Sequence, residues 1–295
     1  MDEKRFALVG IRPLPPPPAE TRCKWRRGTP LVSLTLLGAI LLGCLLCGWT
    51  LPQNPAYMDL AAWGLPPGRE HWFGTDSMGR DLFAMIWHGG RLSLLIGLGA
   101  AALSGALALL AGCLAGLGPA WLDRLVMRGT ELLLSVPELL WVLLLRGVLG
   151  GRGPGSLALV IGLTGWPVMA RVIRTEARQL RGCGYVQAAR CMGAGWFHVL
   201  KKHLLPNLFP SMMFMMVMNV RGAMMTESTL SFLGLGLPLE VISWGSLLSL
   251  SQRAMLGGDW WSVVFPGAFL AAVLLCLTGI GNWLRGNPGR RESNL

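Results

Sequence analysis

Successive apolar windows, each about long enough to cross a bilayer, leave this chain few folds to adopt. A crossing takes about 20 apolar residues. Such windows run from about Pro30 to Leu51, Leu92 to Leu117, Leu125 to Leu149, Ser156 to Ile173, Leu208 to Leu233 and Trp261 to Trp283. The expected fold is therefore an all-α integral membrane protein, with six transmembrane helices in one polytopic domain over residues 30–284. The chain is 53% hydrophobic and 14% charged, against about a quarter charged in a soluble domain. Its net charge of +11 would by itself suit a nucleic-acid partner. The basic residues cluster between apolar windows that a soluble nucleic-acid binder has no use for, so no such partner is expected.

The placement of charge orients the spans. Lys4, Arg5, Arg12, Arg22, Lys24, Arg26 and Arg27 precede the first window, and Arg285, Arg290 and Arg291 follow the last. Asp123, Arg124 and Arg128 fall in a short turn between the second and third windows. The alternate segments hold only Arg69, Arg80, Arg152 and Arg253, with Arg91 and Arg146 near boundaries, where Arg146 can snorkel to the outer surface. Basic loops stay on the cytoplasmic side, so both termini are expected there, in a multi-pass protein of the cell (cytoplasmic or inner) membrane. Residues 1–29, with Pro13 and Pro15 to Pro18, read as a flexible Pro-rich basic tail, and 285–295 as a second cytoplasmic tail.

One basic island, Arg171 to Asn207, has architecture of its own. It carries Arg171, Arg174, Arg178, Arg181, Arg190, Lys201 and Lys202. Tyr185 to Met192 reads as a short helix, Gly193-Ala194-Gly195 as a break, and Trp196 to Leu205 as a second helix stopped by Pro206. The run Tyr185, Val186, Gln187, Ala188, Ala189, Arg190, then Gly193-Ala194, then His203-Leu204-Leu205-Pro206-Asn207, resembles the EAA signature of ABC-importer permeases. The resemblance implies a coupling loop, about 174–207, whose helix sits in a groove of an ATPase subunit. Gln187 departs from it, standing where the family usually has an acidic residue. A basic amphipathic helix on the lipid surface would explain the charge but neither the break nor the His-Leu-Leu-Pro-Asn end.

A second motif lies in the segment 52–88, which its prolines mark as largely irregular and which the charge bias places outside. His71-Trp72-Phe73-Gly74-Thr75-Asp76-Ser77-Met78-Gly79-Arg80-Asp81 resembles the FGTD-x-x-GRD signature of the dipeptide, oligopeptide and nickel subfamily, in its C-type permease subunits. Ser231-Phe232-Leu233-Gly234-Leu235-Gly236 resembles the same group, and Ser243-Trp244-Gly245 belongs to the outer loop that follows. Gly74 and Gly79 permit tight turns, and Asp76, Arg80 and Asp81 can pair or cap a helix start. The motif then locks the outer loop onto the spans, or else touches substrate or a binding protein. The resemblance implies a heterodimer with a second, B-type permease, two ABC ATPase subunits and an extracytoplasmic substrate-binding protein. It also implies a cargo of peptides or of nickel and other metal chelates.

The chain carries no Walker A sequence and no converging catalytic set. It reads as a transport subunit rather than an enzyme, binding no cofactor or metal of its own, with ATP hydrolysed by partner subunits. His71, His88, His198 and His203 are scattered, and the seven cysteines form no disulfide framework. Charged residues within spans are costly and mark function by default. Glu138, Asn219, Arg221 and Glu227 are thus candidates for the translocation pathway or the permease interface, and Arg221 and Glu227, six apart, are expected to find partners on other helices or subunits. The methionines around 212–225 suit packing better than soft-metal binding. The rival reading, a secondary transporter with no ATPase partner, would carry its own ion site and often an internal repeat, and would not need the basic loop.

Overall fold

The computed structural model describes residues 30–50, 55, 57–151, 153–193, 195–238 and 240–286. The 1–29 tail, most of the C-terminal tail and Ala194 lie outside the described residues. The elements are α1 (Leu31–Thr50), a 3-10 turn (Leu60–Ala62), α2 (Leu82–Leu117), α3 (Ala120–Leu134), α4 (Glu138–Leu149), α5 (Pro154–Thr164) and α6 (Trp166–Arg181). They continue with α7 (Gly184–Cys191), α8 (Trp196–Val199), a π-helical turn (Leu200–Leu204), α9 (Leu205–Phe232), α10 (Trp244–Leu256) and α11 (Trp261–Gly286). Among the described residues, four helices are long and apolar enough to cross a membrane, or up to six if the bent pairs α3–α4 and α5–α6 each count as one span.

α2, 36 residues long, is the axis around which the others pack. Its small residues let neighbouring backbones close in. Gly112 lies against Ala170 and Ile173, and Gly116 against Arg174 and Ala177, so α6 runs parallel to α2. Ser93 meets Glu227, Gly97 meets Met224, Ser104 meets Asn219 and Gly105 meets Met216, so α9 runs antiparallel on another side. The methionines fill these glycine gaps: Met224 on Gly97, Met216 on Gly105, Met218 on Gly281 of α11. That is the use expected of an unbranched, adaptable side chain.

Several boundaries differ from the sequence expectation. α2 starts at Leu82, ten residues before the predicted span, because Asp81 caps it by accepting from the Phe83 amide at 3.0 Å. Asp123, Arg124 and Arg128 sit not in a turn but in α3, which begins directly after Gly118-Pro119. The third window is not a single helix: α3 and α4 meet at 93°, where Pro137 interrupts the backbone ladder. The fourth window bends by 41° between α5 and α6, at Gly165-Trp166-Pro167. Pro206 does not stop a helix. It occupies the first turn of α9, where its missing N–H costs nothing, and the chain runs on as helix. Ser243-Trp244-Gly245 opens α10 rather than forming loop, with Ser243 and Ser246 closing a reciprocal capping box.

Candidate functional site

The basic island folds as a cap on one end of the bundle. α7, about two turns long, is amphipathic: Val186 and Ala189 face inward, beside Cys183, Leu180 and Leu204. Tyr185, Gln187, Ala188 and Cys191 stay exposed, and Met192 just beyond is 82% exposed. Gln187 Nε2 donates to the Gly182 carbonyl at 3.2 Å, a bond that the carboxylate usual in this signature could not make. Asn207 Nδ2 donates to the Tyr185 hydroxyl at 3.5 Å, tying α7 to the first turn of α9. Gly193 ends the helix at φ +85°, and a side chain at Gly184, Gly193 or Gly195 would meet nothing within 4 Å. Between α7 and α8 lies an open cleft of about 570 Å3, lined by Tyr185, Met192, Gly193, Gly195, His198 and Lys202. Backbone alone places Arg190 at the end of α7 and His203 in the π-helical turn.

The cap is bolted to the bundle by charge. Asp123 of α3, largely buried, accepts from Arg174 Nε and, at 2.8 Å, from Arg174 Nη2, and from Arg178 Nη2 at 2.6 Å. A bidentate guanidinium–carboxylate pair fixes direction as well as distance. Arg171 Nε adds a bond to Thr130 Oγ1 at 3.3 Å. Three of the seven island cations thus serve α3–α6 contact, and nothing local in the sequence marks Asp123 as the residue that gathers two of them.

The opposite end holds the second motif, folded into a lock. Asp76 accepts from the amides of Met78 (2.9 Å) and Arg80 (2.8 Å), and pairs with the buried Arg80 guanidinium at 2.6–2.7 Å. Thr75 is fully buried; its hydroxyl donates to Ala62 O at 2.5 Å and accepts from Leu65 N at 2.8 Å. Its carbonyl accepts from Trp261 Nε1 of α11 at 3.1 Å. Phe73 stacks on Phe265 with centroids 4.4 Å apart. Gly74 and Gly79 take φ +78° and +72°. Burial pushes the Asp81 carboxyl above the ordinary carboxylate range, against the pull of the Phe83 amide and His71. Phe73, Gly74, Thr75, Asp76, Gly79, Arg80 and Asp81 each have a structural task here.

The mid-span candidates separate. Asn219 Nδ2 donates to Ser104 Oγ of α2 at 2.5 Å. Arg221 is half-buried, and its Nε has no hydrogen-bond partner. Glu138 is exposed on the surface of this chain, in the first turn of α4 beyond the 93° break. Glu227 is 0% exposed and accepts from four serine hydroxyls: Ser93 (3.2 Å), Ser228 (3.2 Å), Ser231 (3.0 Å) and Ser243 (2.8 Å). It finds partners on other elements, α2 and the α10 cap, as expected. Arg146 does not snorkel free: its Nη2 donates to Gly236 O at 2.6 Å.

Comparison with known proteins gives a consistent picture. Residues 108–288 match the family described as binding-protein-dependent transport system inner membrane component. The chain is 38% identical over 256 residues to a protein of Brucella suis provisionally named a peptide permease, covering 86% of this chain and 84% of that one. It is 36% identical over 234 residues to the dipeptide transport system permease protein DppC of Bacillus subtilis, covering 79% and 73%. Against the oligopeptide transport system permease protein OppC of the same organism it is 37% identical over 220 residues, covering 75% and 72%. Among solved structures, the inward-facing methionine ABC transporter MetNI superposes with a TM-score of 0.57 at 17% identity, over 70% of this chain and 97% of that one.

Proposed function

The chain belongs to the inner-membrane-component family of binding-protein-dependent transport systems, as a permease of the dipeptide/oligopeptide type, and from that premise we propose that it forms half of a peptide translocation pathway driven by a separate ATPase. The names of its relatives favour peptides over the nickel or metal chelates that the motif resemblance also allows. The basic end is cytoplasmic, with both termini on that side, and α7 is the coupling helix. The other partners are a second, B-type permease completing the pathway, a second ATPase, and an extracytoplasmic binding protein that delivers cargo to the end carrying α10. This chain holds no cofactor; ATP is hydrolysed by the partner subunits. Closure of the ATPases would move α7, and the Asp123 bolt would pass that movement to α3 and α6, so that the bundle alternates between outward and inward access.

The observation that carries this reading is the exposed face of α7. Its inner face is packed, its outer face exposes Tyr185, Gln187, Ala188 and Met192, and it ends at glycines whose surroundings are empty within this chain. Gly195→Trp should therefore leave the permease intact and obstruct only a partner. In a pull-down with both permeases and the ATPase co-expressed, the wild-type chain should retain the ATPase and Gly195→Trp should lose it. No ATPase retained by the wild-type chain, with both permeases correctly inserted, would overturn the importer mechanism and raise the secondary-transporter alternative.

Arg221 is assigned to the pathway, since a half-buried mid-span guanidinium with an unused Nε needs a polar surrounding. Arg221→Ala is expected to assemble normally and to transport about tenfold more slowly, the scale of one charge-assisted hydrogen bond. Normal transport by an assembled variant would remove Arg221 from the pathway.

A further inference from the structure

The end of the bundle that carries α10 contains an open cleft of about 740 Å3 between α4 and the turn that follows α9. That volume lies in the range of about 300–1,000 Å3 typical of small-molecule sites. Arg146, in the last turn of α4, and Glu240 both line it, between walls that include Gly147, Gly150 and Gly236. Arg146 is only half used. Its Nη2 donates to Gly236 O at 2.6 Å, but its Nη1 is buried with no hydrogen-bond partner. Among the described residues no carboxylate pairs with it. A buried donor left unmade is costly until an oxygen reaches it.

Gly147 is the second observation. A glycine inside a helix weakens it relative to alanine, and crowding or backbone sign often explains one. Neither applies here: a Cβ at Gly147 would meet nothing within 4 Å, and its φ is not positive. What the missing side chain does accomplish is to keep the cleft wide, one residue beyond Arg146.

We propose that this cleft is a cargo station at the extracytoplasmic mouth of the pathway, in which Arg146 receives the C-terminal carboxylate of a short peptide and Glu240 supplies the opposite charge for its ammonium end. The proposal rests on the reading of this chain as half of a peptide pathway. Guanidinium and carboxylate match bidentately, the cleft has the size of a small ligand, and its two charges fit a zwitterion. A flat protein surface would need neither the concavity nor the bare glycine walls.

The test uses the complete importer in proteoliposomes, with its binding protein, and a mixture of alanine di-, tri- and tetrapeptides offered either as free acids or as C-terminal amides. Uptake is read by mass spectrometry. Wild type should prefer the free acids. Arg146→Gln, which keeps a donor for Gly236 O, should lower free-acid uptake about tenfold and leave amide uptake unchanged, while Arg146→Lys should retain the preference. Gly147→Leu, whose Cβ meets nothing within 4 Å, should lower uptake of both forms by filling the cleft. Equal losses of acid and amide in Arg146→Gln, or loss of the second permease from the purified complex, would make Arg146 a strut or an interface residue and overturn the proposal. So would unchanged free-acid uptake. If Glu240→Gln reproduced Arg146→Gln on both probes, the two residues would simply pair with each other, and the station would again be overturned. Uptake of neither form by wild type would instead overturn the peptide pathway, and this inference with it.

Discussion

Glu227→Ala should free α10 from the bundle. The carboxylate is fully buried and only accepts, so each of its four serine neighbours spends its proton on it. Three of those hydroxyl oxygens accept backbone amides in turn: Ser93 from Trp244 N at 3.2 Å, Ser231 from Leu237 N at 3.3 Å and Ser243 from Ser246 N at 3.1 Å. One side chain thus joins α2 (Ser93), α9 (Ser228, Ser231) and the first residue of the α10 cap (Ser243). With alanine in its place, Ser228 and Ser231 can turn to carbonyls of their own helix, but Ser93 and Ser243 lose the point they share. Hydrogen bonds to a charge contribute about 1.5–3 kcal/mol each. Against this stands relief of the cost of burying that charge, and a cavity is added. The net loss expected is about 3 kcal/mol, with Glu227→Gln in between because one amide oxygen still accepts. Limited proteolysis at the 257–260 turn and thermal unfolding in detergent should both report it. An alanine variant with an unchanged cleavage pattern and melting temperature would mean that α10 is held by Trp244 alone, whose indole donates to Ile86 O at 2.9 Å.

Glu227 also marks the limit of what the sequence could say. A carboxylate in an apolar window is legible as something that matters, and the windows themselves, the fourth-span bend and the helix–glycine break of α7 are legible from period, proline and glycine. Which neighbours hydrogen-bond the carboxylate is not, because Ser93 and Ser243 lie 134 and 16 residues away and nothing local distinguishes them from other serines. The same holds for Asp123, whose cations come from α6, 51 and 55 residues on. α10 was missed for a different reason. Its thirteen residues are too few and too mixed to resemble a span, and its start looks like loop until Ser243 and Ser246 are seen to cap it. The 93° break between α3 and α4 reads in sequence as one proline, and a proline alone does not tell a kink from a corner.

The two motifs carry glycines of the same backbone sign, and the structure predicts that alanine will treat them oppositely. Gly79 (φ +72°) and Gly193 (φ +85°) both sit where an L-residue is strained, at a cost of about 1–2 kcal/mol. At Gly193 nothing lies within 4 Å, so that strain is the whole penalty within this chain. At Gly79 a Cβ would collide with the Asp59 carbonyl oxygen and lie 2.6 Å from its carbon. Those are backbone atoms of a residue that caps the 3-10 turn; they cannot swing aside as a side-chain tip would. Overpacking adds about 1–3 kcal/mol, so Gly79→Ala should cost about 3–5 kcal/mol in all, concentrated in residues 59–81. Hydrogen–deuterium exchange should show the amides of Leu65, Thr75, Asp76 and Arg80 losing protection in Gly79→Ala, with α9 unaffected. Gly193→Ala should leave exchange across the permease near wild type while weakening retention of the ATPase. If Gly79→Ala kept the 59–81 amides protected, the lock would reside in Phe73, Thr75 and Trp261 rather than in the turn. If Gly193→Ala instead loosened α7 and left ATPase binding alone, the open surroundings of that glycine would be a matter of local folding and not of docking.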